Sequence, residues 1–178
     1  MPRRPTTSLD ADALFAYAVK VLAGRAHSAG ELREKLRRKA ARAADVDAVI
    51  ARLKDYGYLD DRKFAEMYAA ARLGDRGLGA GRVLRDLRAK RVAPALAEHT
   101  VRKAYEGVDE TALIEDFLRR KYRGRETPFA EEKDLAGAYR RLLHAGFSSG
   151  NAIRALKKFA RDPELLDRFE PPEEPPED

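Results

Sequence analysis

No cysteine occurs in the 178 residues, which excludes disulfides and thiolate metal sites and fits a reducing, cytoplasmic setting. Long apolar runs are missing too. Nothing approaches the roughly 18 residues that a membrane span needs, so no membrane partner is expected. The opening MPRRPTTSLDADA is basic but has no apolar stretch, so no secretory signal is read there. Alternating β-branched runs joined by hairpin turns are absent as well, which leaves no pattern for a sheet.

The marks of an enzyme are equally scarce. His27, His99 and His144 are scattered without metal-ligand spacing. No serine, lysine or tyrosine stands in a recognisable nucleophile setting. GLGAGR (77–82) resembles a phosphate-binding glycine loop, but it lacks both the Lys-Ser/Thr pair and the strand that such loops need. It reads as a flexible lead-in to a helix. Asp60 and Asp61 in GYLDD could pair as a metal or acid/base site. Adjacent residues at a helix start point about 100° apart, so they cannot easily share an ion, and helix capping is the better reading. GVDE (107–110) repeats the arrangement. No catalytic residue, metal or cofactor is expected, and the chain is read as a non-enzyme.

Charge is what the sequence has in excess. Charged residues make up 37%, well above the usual quarter, which argues for an extended body with much surface. The tail EPPEEPPED (170–178) holds five acids and no base, so the net charge of +6 rises to +11 without it. A body that basic attracts polyanions, most often nucleic acid. The tail itself reads as proline-stiffened and disordered.

The remaining periodicity is helical. Leu14, Ala18, Val21 and Leu22 line one face, as do Val46, Val49, Ile50 and Leu53, and then Phe64, Met67, Tyr68 and Ala71. The helices fall in threes. Middle helices over 28–40, 79–91 and 133–147 align at offsets of 51 and 55, placing Leu32 on Val83, Leu36 on Leu87 and Lys39 on Lys90. Leu142 then matches Leu87, and Phe147 matches Val92. Helices over 10–24, 60–75 and 109–123 precede these; helices over 45–56, 94–106 and 148–160 follow. A period near 50 means one unit copied three times.

The expected fold is therefore all-α: three tandem three-helix repeats in an elongated, curved, solenoid-like body. The divisions are a disordered basic start (1–9), repeats at 10–57, 58–107 and 108–161, and a disordered acidic tail (162–178). Ser28 with Glu31 reads as a capping box. Asp45 and Asp47 read as the start of a helix, and Ser148 or Ser149 as the last N-cap. Gly57, Gly107 and Gly146 sit where helices should end. Tyr58 and Leu59 are expected to pin the joint between the first two repeats.

Cations crowd particular helices. The first middle helix carries Arg33, Lys35, Arg37, Arg38 and Lys39, with Arg25 just before it. The second carries Arg82, Arg85, Arg88, Lys90 and Arg91, with Arg72 upstream. The third unit has Arg119, Arg120 and Lys121, then Arg140 and Arg141, then Arg154, Lys157 and Lys158. Such runs are usually a solvated face. Here acids are sparse beside them, and arginine outnumbers lysine, which suits bidentate contact with phosphate or carboxylate.

Three segments resemble the RecX regulators of bacterial recombination: AYAVKVLAGRAHSAGELREKLRRKA, IARLKDYGYLDDRKFAEMYAAAR and GAGRVLRDLRAKRV. The shared signature lies at Arg25, Ser28, Glu31, Leu32, Gly57, Tyr58, Leu59, Asp60, Asp61, Phe64 and Ala65, and the resemblance covers roughly residues 12–160. It implies tandem three-helix repeats and a non-enzymatic modulator of the RecA recombinase in homologous recombination and the SOS response. Its partners would be the RecA filament and single-stranded, or also double-stranded, DNA, met by a monomer whose basic face lies in the filament groove. A sequence-nonspecific nucleic-acid binder acting without RecA is the alternative. Base-stacking aromatics would favour it, but Tyr17, Tyr68, Phe117 and Tyr139 sit on or beside packing stripes. A scaffold with apolar grooves for a partner helix is a third reading.

Overall fold

A computed structural model describes residues 8–124, Phe129 and 131–159. The expectations placed on residues 1–7 and on the acidic tail fall outside them. Nine helices occur among the described residues: α1 (Ala11–Gly24), α2 (Ala29–Arg37), α3 (Ala43–Asp55), α4 (Asp61–Gly74), α5 (Ala80–Ala89), α6 (Pro94–Ala104), α7 (Glu110–Lys121), α8 (Glu132–His144) and α9 (Ser149–Phe159). Apart from one isolated bridge between Leu9 and Ala40, no β-pairing is seen among them. The all-α reading holds, because every apolar stripe repeats at the helical period. No helix among the described residues is long and apolar enough to cross a membrane.

The chain forms two compact units. Unit one comprises Met1–Ala69 and Asp86–Val101; unit two comprises Ala70–Arg85 and Arg102–Asp178. In unit one, α1, α2 and α3 pack on one another around Leu14, Leu32, Leu36, Val46, Ile50, Leu53 and Leu59. In unit two, α7 and α8 pack on α9 around Ile114, Leu118, Leu135, Tyr139, Leu142, Phe147 and Leu156. Each fully buried side chain of this kind contributes about 1.5–3 kcal/mol. The aligned positions Leu32, Val83, Leu36, Leu87 and Leu142 are all buried.

Three helices end alike. Gly57 has φ +71° and Gly146 φ +89°, and each sits two residues past the end of a helix whose last carbonyls it helps satisfy. The amides of Gly57 and Tyr58 donate to Lys54 and Leu53, and those of Gly146 and Phe147 to Leu143 and Leu142. This is the Schellman arrangement. α5 closes the same way, with Arg91 and Val92 donating to Arg88 and Leu87. There the left-handed position is held by Arg91 at φ 58°, without glycine.

Several local expectations change. Ser28 does accept from the Glu31 amide at 3.0 Å, but the Glu31 carboxylate turns toward Lys90 and Arg25, so only half of a capping box forms. α3 begins at Ala43, and Asp45 lies inside its first turn, buried and gripped by both ends of the Arg42 fork at 2.9 and 3.1 Å. Of the two serines at the start of α9, Ser148 takes the N-cap position, its carbonyl accepting from the Ala152 amide at 2.9 Å, while Ser149 is the first helical residue and engages Tyr139 at 2.8 Å. Leu59 is buried and fixes its joint, whereas Tyr58 is exposed and does not.

Candidate functional site

The two carboxylates of GYLDD have separate jobs. Asp60 Oδ1 accepts from the amides of Arg62 (2.9 Å) and Lys63 (3.0 Å), so it caps its own helix. Those amides hold its carboxyl below the usual value. Asp61 Oδ1 instead accepts from the Ala29 amide at 2.7 Å, closing the first turn of α2 from outside. In unit two the pair repeats. Asp109 caps α7 through Thr111 and Ala112, while Glu110 accepts from Ser148, both amide and hydroxyl, and from Asn151 at the start of α9. Burial works to raise the Glu110 carboxyl, but these donors outweigh it and hold it low. Among the described residues no group of His, Asp or Glu is arranged to hold a metal ion.

Two close backbone approaches accompany these caps. In unit one the Ser28 hydroxyl donates to the Lys90 carbonyl, and a Cβ on Gly30 would stand 2.5 Å from the Arg91 carbonyl oxygen. Lys90 Nζ lies 3.3 Å from Glu31 and 5.4 Å over the Tyr68 ring. The buried His27 sits 3.6 Å from Glu31. In unit two the Gly79 amide donates to the Ala145 carbonyl at 2.8 Å and that of Gly81 to Gly146 at 3.1 Å. A Cβ on Gly79 would overlap the Gly146 backbone, and one on Gly146 would overlap that of Arg82. The glycines of GLGAGR thus serve a tight contact, not flexibility. Leu9 makes the same contact at the aligned carbonyl, its amide donating to Lys39 at 2.7 Å.

This geometry sorts the expected basic face. Several cations have acidic partners: Arg25 and Lys90 on Glu31, Arg33 on Asp47, Arg37 on Glu34, and Arg88 on Glu98. Arg119 and Lys158 share Glu115 in the same way. Others reach carbonyls. Arg82 and Arg85 donate to the last carbonyls of α8 at 3.4–3.5 Å, and Arg120 to the Arg76 carbonyl at 3.3 Å. Arg120 thereby walls a pocket of about 400 Å³ with Leu73, Leu113, Asp116 and Arg119. Arg141 donates to the Tyr122 hydroxyl at 2.8 Å. Arg72 and Lys157 are also engaged. Arg38, Lys39, Lys121, Arg140 and Arg154 make no ion pair or side-chain hydrogen bond among the described residues; all but the half-buried Lys39 are exposed. Exposed pairs contribute only about 0–1 kcal/mol, so a phosphate can displace the acid from Arg33 or Arg88.

Sequence reasoning passed over Arg52 and Tyr56. Tyr56 stands directly before the helix-ending Gly57, a place where a side chain is free to leave the packed face.

Residues 15–53 match the family model for the first three-helix domain of RecX, and residues 60–101 that for the second. The regulatory protein RecX of Escherichia coli O9:H4 is 32% identical over 159 residues, covering 83% of this chain and 92% of that protein. The Shigella sonnei protein of the same name is 34% identical over 75% of this chain and 84% of its own length. The crystal structure of RecX from Lactobacillus salivarius shares the fold, with a TM-score of 0.66 at 17% identity over 89% of this chain and 97% of that one.

Proposed function

Because this chain belongs to the RecX family, we propose that it is a non-enzymatic cytoplasmic regulator that binds the RecA–single-stranded-DNA filament and lowers RecA activity. The match to both RecX three-helix domains carries this reading. We read α7–α9 as a third copy of the unit, since Leu142 and Phe147 fall where Leu87 and Val92 do and all four are buried. The uncommitted Arg38, Arg140 and Arg154 are the first contacts for phosphate, and the weakly paired Arg33, Arg37 and Arg88 the second. Such contacts release counterions, so affinity should fall steeply with salt.

The test is ATP hydrolysis by RecA on single-stranded DNA with this protein titrated in below stoichiometric amounts. Inhibition is expected. Unchanged hydrolysis alongside retained DNA binding would replace the reading with that of a nucleic-acid binder acting without RecA.

A further inference from the structure

Beside the C-terminal turn of α3 lies a strip of rings: Phe15 of α1, half-buried against the unit-one core, and Tyr56 and Tyr58, which the core does not use. Phe15 and Tyr56 meet edge to face with centroids 6.0 Å apart, and Tyr56 and Tyr58 do so at 6.4 Å. The Arg52 guanidinium lies over the Phe15 ring at 4.1 Å and over Tyr56 at 5.7 Å. Tyr56 is 60% exposed and Tyr58 56%. At the two equivalent Schellman positions, Val92 and Phe147 are buried at 3% and 4% exposure. A position that turns an apolar side chain inward elsewhere in this chain turns a tyrosine outward here.

We infer that Phe15, Arg52, Tyr56 and Tyr58 form a stacking platform for the bases of single-stranded nucleic acid. Every base has a π-face, so aromatic rings and flat guanidinium planes bind single strands without reading sequence. Arg52 supplies the complementary charge. Its partner Asp12 lies 3.4 Å away and is almost wholly exposed, so a phosphate can take that place. Strands and not a protein partner are favoured because the strip combines edge-on rings with a stacked cation and is not an apolar groove. The inference rests on the nucleic-acid part of the proposed function, and it adds a base contact to what would otherwise be phosphate contacts alone.

The probe is a fluorescently labelled oligothymidylate, with affinity measured by anisotropy for the full chain. Tyr56→Ala with Tyr58→Ala should weaken binding about tenfold or more, whereas Tyr56→Phe with Tyr58→Phe should keep it, since stacking needs the ring and not the hydroxyl. The chain has seven tyrosines and no tryptophan, so strand binding should also quench tyrosine emission in the wild type and less in the Ala variant. Equal loss in the Phe variant would overturn stacking. Unchanged affinity in the Ala variant would overturn the platform while leaving the functional reading intact. Loss of RecA inhibition with unchanged oligonucleotide affinity would make the strip a protein contact and overturn it too. A wild type that does not bind the oligonucleotide would remove the inference together with the nucleic-acid part of the function, but not RecA regulation itself.

Discussion

Unit one and unit two close the same kind of backbone contact with opposite chemistry. In unit one the partners are Ser28 and Gly30 against Lys90 and Arg91, bound by a hydroxyl and by the ion pairs of Glu31 and Glu34. In unit two they are Gly79 and Gly81 against Ala145 and Gly146, joined by backbone amides, with the Arg82 and Arg85 side chains on the α8 carbonyls. The first holds its position through side chains and so depends on pH and salt. The second depends on having no Cβ at Gly79 and Gly146. Cations that look equivalent along the chain are therefore unequally free to meet an anion.

The largest effect should come from glycine in unit two. Gly146→Ala adds a Cβ that overlaps the Arg82 backbone and forces a left-handed alanine, so it should cost about 3 kcal/mol or more. Gly137→Ala and Gly150→Ala meet open space and should gain up to about 1 kcal/mol in urea unfolding. An equal loss at all three would erase the distinction. Next come the long-range caps. Asp61→Ala leaves the buried Ala29 amide without its acceptor and should cost about 1–3 kcal/mol, more than Asp60→Ala, whose amides open to solvent.

A smaller effect separates the units by pH. Burial first, and then Arg25, hold His27 below its ordinary 6.5; Lys35 and Lys90 add to this and Glu31 opposes it. The unfolded chain then takes up the proton first, so this stability is present above pH 6.5 and lost as pH falls through the lower folded value. Burial works to raise Glu31, but Lys90 and Arg25 outweigh it, so its contribution is lost only below its ordinary 4.5. His27→Gln should flatten the upper limb of stability against pH and leave the lower one. The smallest change is Arg91→Gly, which relieves φ 58° at the expense of the Glu34 pair and should gain less than about 1 kcal/mol.

Local rules account for what was legible in the sequence. Helical spacing placed Leu32, Leu36, Val83 and Leu87 in the core, and the glycines at 57, 107 and 146 took their left-handed turns. What stayed hidden depends on distance along the chain. Asp61 finds its partner 32 residues away and Glu110 finds Ser148 38 away, and neither spacing leaves a mark in the sequence. Gly79 looked like flexibility because its neighbour, Gly146, is 67 positions on. The basic runs looked uniform because the acids that occupy them, such as Asp47 and Glu98, come from other helices. Tyr58 looked like a packing residue because the same turn position after α5 and after α8 holds the buried Val92 and Phe147.

The sorting of cations is the claim most open to a direct measurement: the salt dependence of affinity for single-stranded DNA between about 50 and 200 mM salt. Replacing Arg38, Arg140 and Arg154 with Ala should flatten the log–log slope by roughly 0.7 for each phosphate no longer neutralised. Replacing Arg82 and Arg85, already committed to the α8 carbonyls, should leave that slope where it was. A slope unchanged in the first variant, or flattened more in the second, would contradict the account.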